Sequence, residues 1–221
     1  MVFLFSTTLH EAAHALIALQ LGDPTAYHGG QVTMNPLPHV RREPFGMVLV
    51  PLVSFFLGGW MFGWASAPYD PEWALRHPRR AAWMALGGPT ANLLLVVLAG
   101  LLIRLGVSVG YLHAPPVIRF SQVVAAGDQP GAAGVAVVLS ILFTLNLVLF
   151  VFNLLPLPPL DGSGVVQLLM SGELARRYQA FVRQPMLAWV GILLAWRLFG
   201  PIFRPIHVLA LGLLYPGAGY S

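Results

Sequence analysis

The sequence predicts an all-α polytopic membrane protein, and three observations support that fold class. Of its 221 residues, 57% are hydrophobic and only 9% are charged, whereas charged residues make up about 25% of an average soluble domain. Several apolar stretches have about the 20 residues that a helix needs to cross the roughly 30 Å of a bilayer's hydrocarbon core. Turn-forming glycine, proline and asparagine residues separate these stretches.

The apolar stretches predict five transmembrane helices, or six if the last stretch is divided. They cover residues 1–21, 45–67, 81–105, 132–155 and 186–214. The last stretch contains Gly200 and Pro201, and a proline inside a helix removes a backbone hydrogen bond. It is therefore either one kinked helix or one helix followed by a shorter segment. No connection is large enough for a separate soluble domain, so we expect a single membrane domain over residues 1–221.

The charged residues favour a lipid environment over a nucleic-acid partner. The formal net charge of +4 comes from twelve arginines without any lysine, which is too sparse for a nucleic-acid surface. We therefore expect the lipid bilayer, and no nucleic acid, as a partner. Six arginines lie in the second and fourth connections and three in the first and third, which favours a cytoplasmic position for the second and fourth.

The first connection, residues 22–44, predicts a short β-strand or hairpin. Residues 31–34 follow the turn-forming pair Gly29-Gly30. As an exposed edge strand, Gln31, Val32 and Thr33 could bind a substrate in extended form. An ordinary interfacial loop is equally compatible with this pattern.

Two acidic residues, Glu11 and Asp161, lie within or at the end of apolar stretches. An ionisable group at membrane depth costs several kcal/mol unless it is paired or liganded, so both indicate a functional site. His10 and His14 flank Glu11 at i and i+4 spacing, which places both imidazoles on one helix face where they can bind one metal ion. Glu11 lies about 100° further round the helix, where it can act on a metal-bound water as a general base.

A catalytic zinc requires a third protein ligand and one open coordination position, and Asp161 is the best candidate. Prolines 156, 158 and 159 end the preceding apolar stretch and force an extended backbone, which can project a carboxylate sideways. Taken alone, Asp161 would be assigned as the cap of a helix beginning at Gly162. Together with the two histidines, the ligand role is favoured. Two surface histidines on an amphipathic helix would also give the i,i+4 spacing, but their neighbours are apolar.

Asn92 and Asn153 also lie in apolar stretches. Polar residues in membrane helices commonly hydrogen-bond to a neighbouring helix. The alternative is that they bind the substrate or stabilise an oxyanion.

The chain resembles the site-2 protease family of intramembrane zinc metalloproteases, in particular its small bacterial and archaeal members without PDZ or CBS domains. His10-Glu11-x-x-His14 resembles the family's zinc helix. Asn153-x-x-Pro156 followed by Asp161-Gly162 resembles its second signature, in which the aspartate is the third ligand. Gly87-Gly88-Pro89-x-x-Asn92 resembles a third element. The similarity covers most of residues 8 to 170.

The resemblance implies one zinc ion per chain, held by His10, His14 and Asp161. It implies that Glu11 and Asn153 are catalytic and that Asn92 is a candidate substrate contact. The expected partner is a transmembrane protein substrate, cleaved in or near its membrane segment. The expected location is a prokaryotic cell membrane, the inner membrane where there are two, with several passes through it.

Three features depart from the family pattern. Many members have a membrane helix before the zinc helix, whereas nine residues precede His10 here. We expect either that this subgroup lacks that helix or that the sequence begins late. The connection around His39 is longer than usual, so no role is assigned to that residue, and Ser163 stands where a second glycine is usual.

Two other functions use the same residues. A metal transporter or channel could use His10, His14 and Asp161 as its transport site, but the inverted repeats common in transporters are absent from the sequence. A catalytically silent homologue could bind membrane proteins without cleaving them. Such homologues usually lack the base or a ligand, and all four residues are present here.

Overall fold

The computed structural model describes residues 1–59 and 61–220, and it confirms the all-α membrane fold. Ten helices occur in these residues: α1 Val2–Gln20, α2 Thr25–His28, α3 Pro36–Arg42, α4 Phe45–Gly58, α5 Pro71–Arg76, α6 Pro78–Ser108, α7 Ala132–Asn153, α8 Asp161–Val165, α9 Gly172–Val182 and α10 Pro185–Leu214. A 3₁₀ turn, Val166–Leu169, continues α8. Strands β1 (Leu112–His113) and β2 (Ala125–Ala126) pair antiparallel, with Leu112 opposite Ala126.

Four of the described helices, α1, α6, α7 and α10, are long and apolar enough to cross a membrane. Helix α10 continues through Gly200, Pro201 and Pro205, so the last apolar stretch is one helix and not two. The predicted total of five or six spanning helices is therefore too high for the described residues. The difference arises in the second apolar stretch.

That stretch, residues 45–67, forms a short helix and a returning segment instead of a transmembrane helix. Helix α4 opens with a π-turn and has 14 residues, or about 21 Å at 1.5 Å per residue, which is less than the roughly 30 Å of hydrocarbon. Gly59 ends it in the left-handed conformation, with φ of 72°. Trp60 lies outside the described residues.

Residues 61–66 then run back along α4. The amide of Phe62 donates to the Ser54 hydroxyl at 2.9 Å, and the amide of Trp64 donates to the Gly46 carbonyl at 3.1 Å. The two segments lie so close that a Cβ on Gly46 would overlap the Trp64 carbonyl and a Cβ on Gly63 would overlap the Gly46 carbonyl. The prediction of a spanning helix over residues 45–67 is wrong, because the stretch turns back on itself.

The predicted strand or hairpin in residues 22–44 is also wrong, since this segment contains helices α2 and α3 and a series of bends. The amide of Gln31 donates to the Ala26 carbonyl and so prolongs the turn of α2. Asn35 caps α3 by accepting from the Leu37 amide at 3.0 Å. Both ends of the segment are thus bonded to a neighbouring helix turn, and the described residues 22–44 form no strand pairing.

The connections after α1, before α6 and before α10 lie on one side of the molecule. The Asp23 carboxylate, 1% exposed, accepts from the amide of Thr25 at 2.9 Å and from the amide of Asp70 at 2.8 Å. Arg183 donates to the Pro71 carbonyl at 3.4 Å. Helix α9 lies on the same side, where hydrogen bonds from Arg176 and Arg177 lower the pKa of the exposed Glu173 carboxyl.

The main apolar core lies between α6, α7 and the end of α10. Its fully buried members include Ala99 and Ile103 of α6, which pack with Phe143 and Leu211. At the opposite end from Asp23, the buried hydroxyl of Ser140 accepts from the amides of Val123 and Val124 at 2.9 and 3.1 Å. This contact fixes the connection of residues 109–131 against α7.

The fold predicts a cytoplasmic location for the side that carries Asp23. With five spanning helices, the sequence predicts six of the nine loop arginines on one side and three on the other. Because residues 45–67 do not span, the structure places eight of them on one side: Arg41, Arg42, Arg76, Arg79, Arg80, Arg176, Arg177 and Arg183. Arg104 and Arg119 lie toward the other side.

Because the side richer in arginine usually stays in the cytoplasm, single cysteines at Glu72 and Arg177 should resist a membrane-impermeant maleimide in intact cells. A cysteine at Asp128 should react.

The chain lacks cysteine, so each of these variants carries one thiol and the unsubstituted protein is the blank. All three positions are exposed. Labelling of the Glu72 and Arg177 positions from opposite sides would disprove the four-helix arrangement. Labelling of the cysteines at both positions from outside the cell would show that the protein has the opposite orientation in the membrane.

Candidate metal centre

Helix α1 places His10 and His14 on the same face, as their spacing predicts. Their Nε2 atoms lie 3.0 Å apart, and both side chains are buried. Glu11 lies beside them on the same helix and is 6% exposed. The neighbouring α1 residues are mostly apolar, so the two imidazoles form a polar site within an otherwise apolar helix.

Asp161, the first residue of α8, completes a cluster of three metal-ligating side chains. One carboxylate oxygen lies 3.1 Å from the Nε2 of His10, and the other lies 3.4 Å from the Nε2 of His14. The alternative in which Asp161 caps a helix is not observed, because Leu160 occupies the capping position of α8 and no side-chain cap bond is made there. The structure therefore brings together the three predicted ligands.

Close packing at glycine holds the segment that carries Asp161. A Cβ on Gly162 would overlap the carbonyls of Leu154 and Leu155, so the chain after α7 folds tightly back on itself. A Cβ on Gly164 would meet the side chain of Ala85 in α6 at 2.7 Å. These two contacts explain why glycine follows Asp161 and how α8 is seated against α6.

Helix α6 closes the other side of the cluster. A Cβ on Gly88 would overlap the Nε2 atoms of both His10 and His14, so only glycine leaves room for the imidazoles at this position. A Cβ on Gly87 would lie 3.1 Å from the carbonyl oxygen of Ala13 and 2.8 Å from the Ile17 side chain. The glycine pair therefore allows α6 to lie directly against the face of α1 that bears the histidines.

Hydrogen bonds behind the imidazoles determine which ring nitrogens are protonated. The Nδ1 of His14 lies 2.8 Å from the Met84 carbonyl, which can only accept, so this nitrogen donates. The Gly88 amide is 3.4 Å from the same nitrogen, but the shorter contact decides the assignment. The Nδ1 of His10 donates to the Oδ1 of Asn92 at 2.6 Å. Each Nε2 is consequently left with a free lone pair.

Two Nε2 lone pairs and two carboxylate oxygens therefore converge on one point. The two Nε2 atoms are 3.0 Å apart, and each lies 3.1 or 3.4 Å from a carboxylate oxygen. Acceptors at such distances repel unless a metal ion or a proton lies between them. A tetrahedral zinc with bonds of about 2.0–2.1 Å separates its ligand atoms by roughly 3.3 Å, which agrees with the observed spacing. The residues thus fit a zinc ion with three protein ligands and one open position.

Asn92 supports this cluster from behind, through the hydrogen bond to His10. It is fully buried, and its amide nitrogen donates to the Oδ1 of Asn146 on α7 at 2.8 Å. This placement favours the helix–helix alternative for Asn92. A histidine ligand whose second nitrogen is held by a hydrogen bond is typical of protein metal sites.

The other predicted site residues lie apart from the cluster. Asn153 is the half-buried last residue of α7, and its side chain makes no hydrogen bond within the described ranges. Gln31 is 2% exposed, and Val32 and Thr33 are half-buried. The Thr33 carbonyl already accepts from the Nε2 of His39 at 3.1 Å. Roles for these four residues in substrate binding or catalysis remain predictions.

Asn146, which was not among the predicted site residues, is fully buried and joins Asn92 to the Ser6 hydroxyl. Its signal was the same as that of Asn92, a lone amide in an apolar helix. The Met84 carbonyl could not be found in this way, because every residue has a carbonyl and only the packing of α6 on α1 selects this one.

Comparisons with known proteins agree with the site. The profile described as peptidase family M50 matches residues 1–196. YwhC of Bacillus subtilis, provisionally named a zinc metalloprotease, is 36% identical over 177 residues, which cover 79% of this chain and 70% of YwhC. No solved structure matches the chain significantly.

Two mycobacterial proteins named Rip2, with the same provisional assignment, are more distant. The Mycolicibacterium smegmatis protein is 28% identical over 79% of this chain and 58% of its own length. The Mycobacterium tuberculosis protein is 32% identical over 75% and 54%, respectively. The chain thus spans little more than half of each Rip2 protein. With the family match over residues 1–196 and the identity to YwhC, the chain belongs to peptidase family M50, the metalloprotease family that its sequence resembles.

Proposed function

We propose that the protein is an intramembrane zinc metalloprotease that hydrolyses a peptide bond in or near the transmembrane segment of a membrane-protein substrate. The observation that supports this most directly is the convergence of the His10, His14 and Asp161 acceptor atoms beside Glu11. The family assignment makes the chain a metalloprotease. The membrane-embedded substrate is our inference from the depth of the site.

The depth follows from the position of the histidines in α1. His10 lies eight residues after the start of this helix and ten before its end, or about 12 Å and 15 Å along the axis. A site near the middle of a helix that is long and apolar enough to cross a membrane is reached most directly by a peptide that also lies in the membrane. We propose a prokaryotic cell membrane as the location.

His10, His14 and Asp161 would hold one zinc ion per chain, and bound zinc supplies an activated water and polarises the scissile carbonyl. Glu11, which lies beside the two histidines on α1, would take a proton from the attacking water and return it to the leaving amine. Its carboxylate has no hydrogen-bond or salt-bridge partner among the described side chains, so it is not committed to a structural contact. Asn153 is proposed to steady the substrate.

The two alternative functions have less support. A metal transporter would account for the three ligands, but it would not require a carboxylate such as Glu11 beside them. A silent homologue would be expected to have lost the base or a ligand, whereas both are retained. The match to a peptidase family favours cleavage over either alternative.

Replacement of Glu11 by glutamine is expected to lower cleavage by about 10²- to 10⁴-fold, because the amide cannot accept the proton of the attacking water. The zinc content should be unchanged, since Glu11 is not a ligand. The measurement is co-reconstitution of the purified protein in liposomes with a panel of single-span membrane proteins, with zinc determined on the same samples.

Glu72→Gln is the matched control, because Glu72 is exposed on α5. This variant should cleave like the unsubstituted protein, and a zinc chelator should stop cleavage by the variant and by the unsubstituted protein. Cleavage by Glu11→Gln at the normal rate, or cleavage that resists the chelator, would contradict the proposed mechanism.

Replacement of Gly88 by alanine is expected to abolish stoichiometric zinc binding. The added Cβ would overlap the Nε2 atoms of His10 and His14 and force the imidazoles away from Asp161. Gly100→Ala, on the same helix, is the control, since its Cβ would meet its neighbours at 3.7 Å or more. That control should retain zinc, with a thermal stability equal to or slightly above normal because alanine favours the helix by up to about 1 kcal/mol. Full zinc occupancy in Gly88→Ala would show that the ion lies elsewhere.

A further inference from the structure

A continuous chain of buried polar side chains extends from the back of His10 across three helices. From His10 on α1 it passes to Asn92 on α6 and then to Asn146 on α7, with contacts of 2.6 and 2.8 Å. From Asn146 it returns to α1, where the amide nitrogen donates to the Ser6 hydroxyl at 2.9 Å. Both asparagines and Ser6 are fully buried, so water cannot replace any of these contacts.

The direction of every hydrogen bond in this chain is set at one end by a backbone carbonyl. The side chain of Asn146 lies 2.7 Å from the Leu142 carbonyl, which can only accept, so the atom facing it must be the amide nitrogen. The Oδ1 of Asn146 therefore faces Asn92, which must present its own amide nitrogen. The Oδ1 of Asn92 then faces His10, so the Nδ1 of His10 must be the donor.

The two histidines differ in how firmly their partners are fixed. The Nδ1 of His14 faces the Met84 carbonyl directly, and a backbone carbonyl of a helix cannot turn into a donor. The partner of His10 is a side-chain amide, which presents an acceptor in one orientation and a donor after a rotation of 180°. If Asn92 turned over, its amide nitrogen would favour the other tautomer of His10 and place a proton on Nε2, among the cluster's acceptors.

We propose that Asn146 is a positioning residue, which fixes the orientation of Asn92 and thereby keeps the Nε2 of His10 free for the metal. Asn146 makes no hydrogen bond to His10, His14 or Asp161, and its effect on the tautomer of His10 is transmitted through Asn92. Ser6 lies one helical turn before His10, so the contact from Asn146 also locks α1 against α7. The proposal rests on the proposed zinc site but does not depend on cleavage of any substrate.

The test is the zinc affinity of the purified full-length protein in detergent, measured by competition with a chelator of known affinity. Asn146→Leu removes the hydrogen bond that orients Asn92 while keeping a similar volume, and it should weaken zinc binding by about 10- to 100-fold, as losses behind metal ligands usually do. The Co²⁺-substituted protein should show a changed visible spectrum, because the ligand geometry at His10 is altered.

Ser140→Ala is the matched control for loss of a buried polar group on the same helix. Ser140 is also fully buried, but it accepts from Val123 and Val124 far from the cluster. It should lower thermal stability and leave both zinc affinity and the Co²⁺ spectrum unchanged. Ser6→Ala leaves the Leu142 contact of Asn146 in place, so zinc affinity should stay within about twofold of normal.

A second background separates orientation from packing. A carboxylate accepts hydrogen bonds through either oxygen, so Asn92→Asp should hold the Nδ1 proton of His10 without help from Asn146. In that background, Asn146→Leu should change zinc affinity by less than about threefold. This comparison stays informative even if Asn146→Leu alone is too unstable to purify.

Unchanged zinc affinity in Asn146→Leu would overturn the proposal. A loss of about 10-fold or more on adding Asn146→Leu to Asn92→Asp, or in Ser6→Ala, would overturn it too. Failure of the proposed function gives a different result. A protein that binds zinc and responds to Asn146→Leu, but cleaves none of the membrane substrates, would retain the positioning role and lose the protease assignment.

Discussion

The constraint on which this structure depends is that four acceptor lone pairs must meet at one point inside an apolar helix bundle. The Nε2 atoms of His10 and His14 and the Asp161 carboxylate repel one another as close neighbours there unless a metal ion or a proton lies between them. The bundle therefore has to hold three repelling groups in place before any ion can bind. The glycines and buried amides around the cluster follow from that requirement. Gly88 leaves room for the imidazoles, and the Met84 carbonyl and Asn92 fix their tautomers.

The rest of the fold positions two ligand-bearing segments of very different character. The histidines are on α1, a regular helix whose own hydrogen bonds keep them in register. Asp161 is on a proline-rich segment without such support, and its position depends on neighbours. Gly164 of this segment packs against Ala85 of α6. Gly191 of α10 packs against Pro158 of the segment, where a Cβ on the glycine would overlap the Pro158 carbonyl. Helix α10, which is otherwise largely exposed apolar surface, thus contributes to the geometry of the metal centre.

The sequence was sufficient for the ligands because their signals are local. The i,i+4 histidines can be recognised from their spacing, and an acidic residue at the end of an apolar stretch is favoured as a ligand once those histidines are known. The number of spanning helices was overestimated because hydropathy is the same for a helix that crosses and for one that turns back at Gly59. The strand predicted over residues 31–34 does not form, since Gln31 prolongs the turn of α2 and Asn35 caps α3. Such competition between local and long-range hydrogen bonds cannot be decided from composition.

Asn146 illustrates a different limit. A lone amide in an apolar helix indicates a polar contact, but its partners lie 54 and 140 residues away in the chain, and only the packing of three helices identifies them. Once these partners are known, the cost of losing either hydrogen bond of Asn146 can be stated. An unpaired buried amide costs about 1–3 kcal/mol, so each member of the chain from Ser6 to His10 is stabilised only if its neighbours keep their orientation. Because each amide must keep its orientation, the Leu142 carbonyl determines which nitrogen of His10 is protonated. It thereby leaves the nitrogen that faces the metal free.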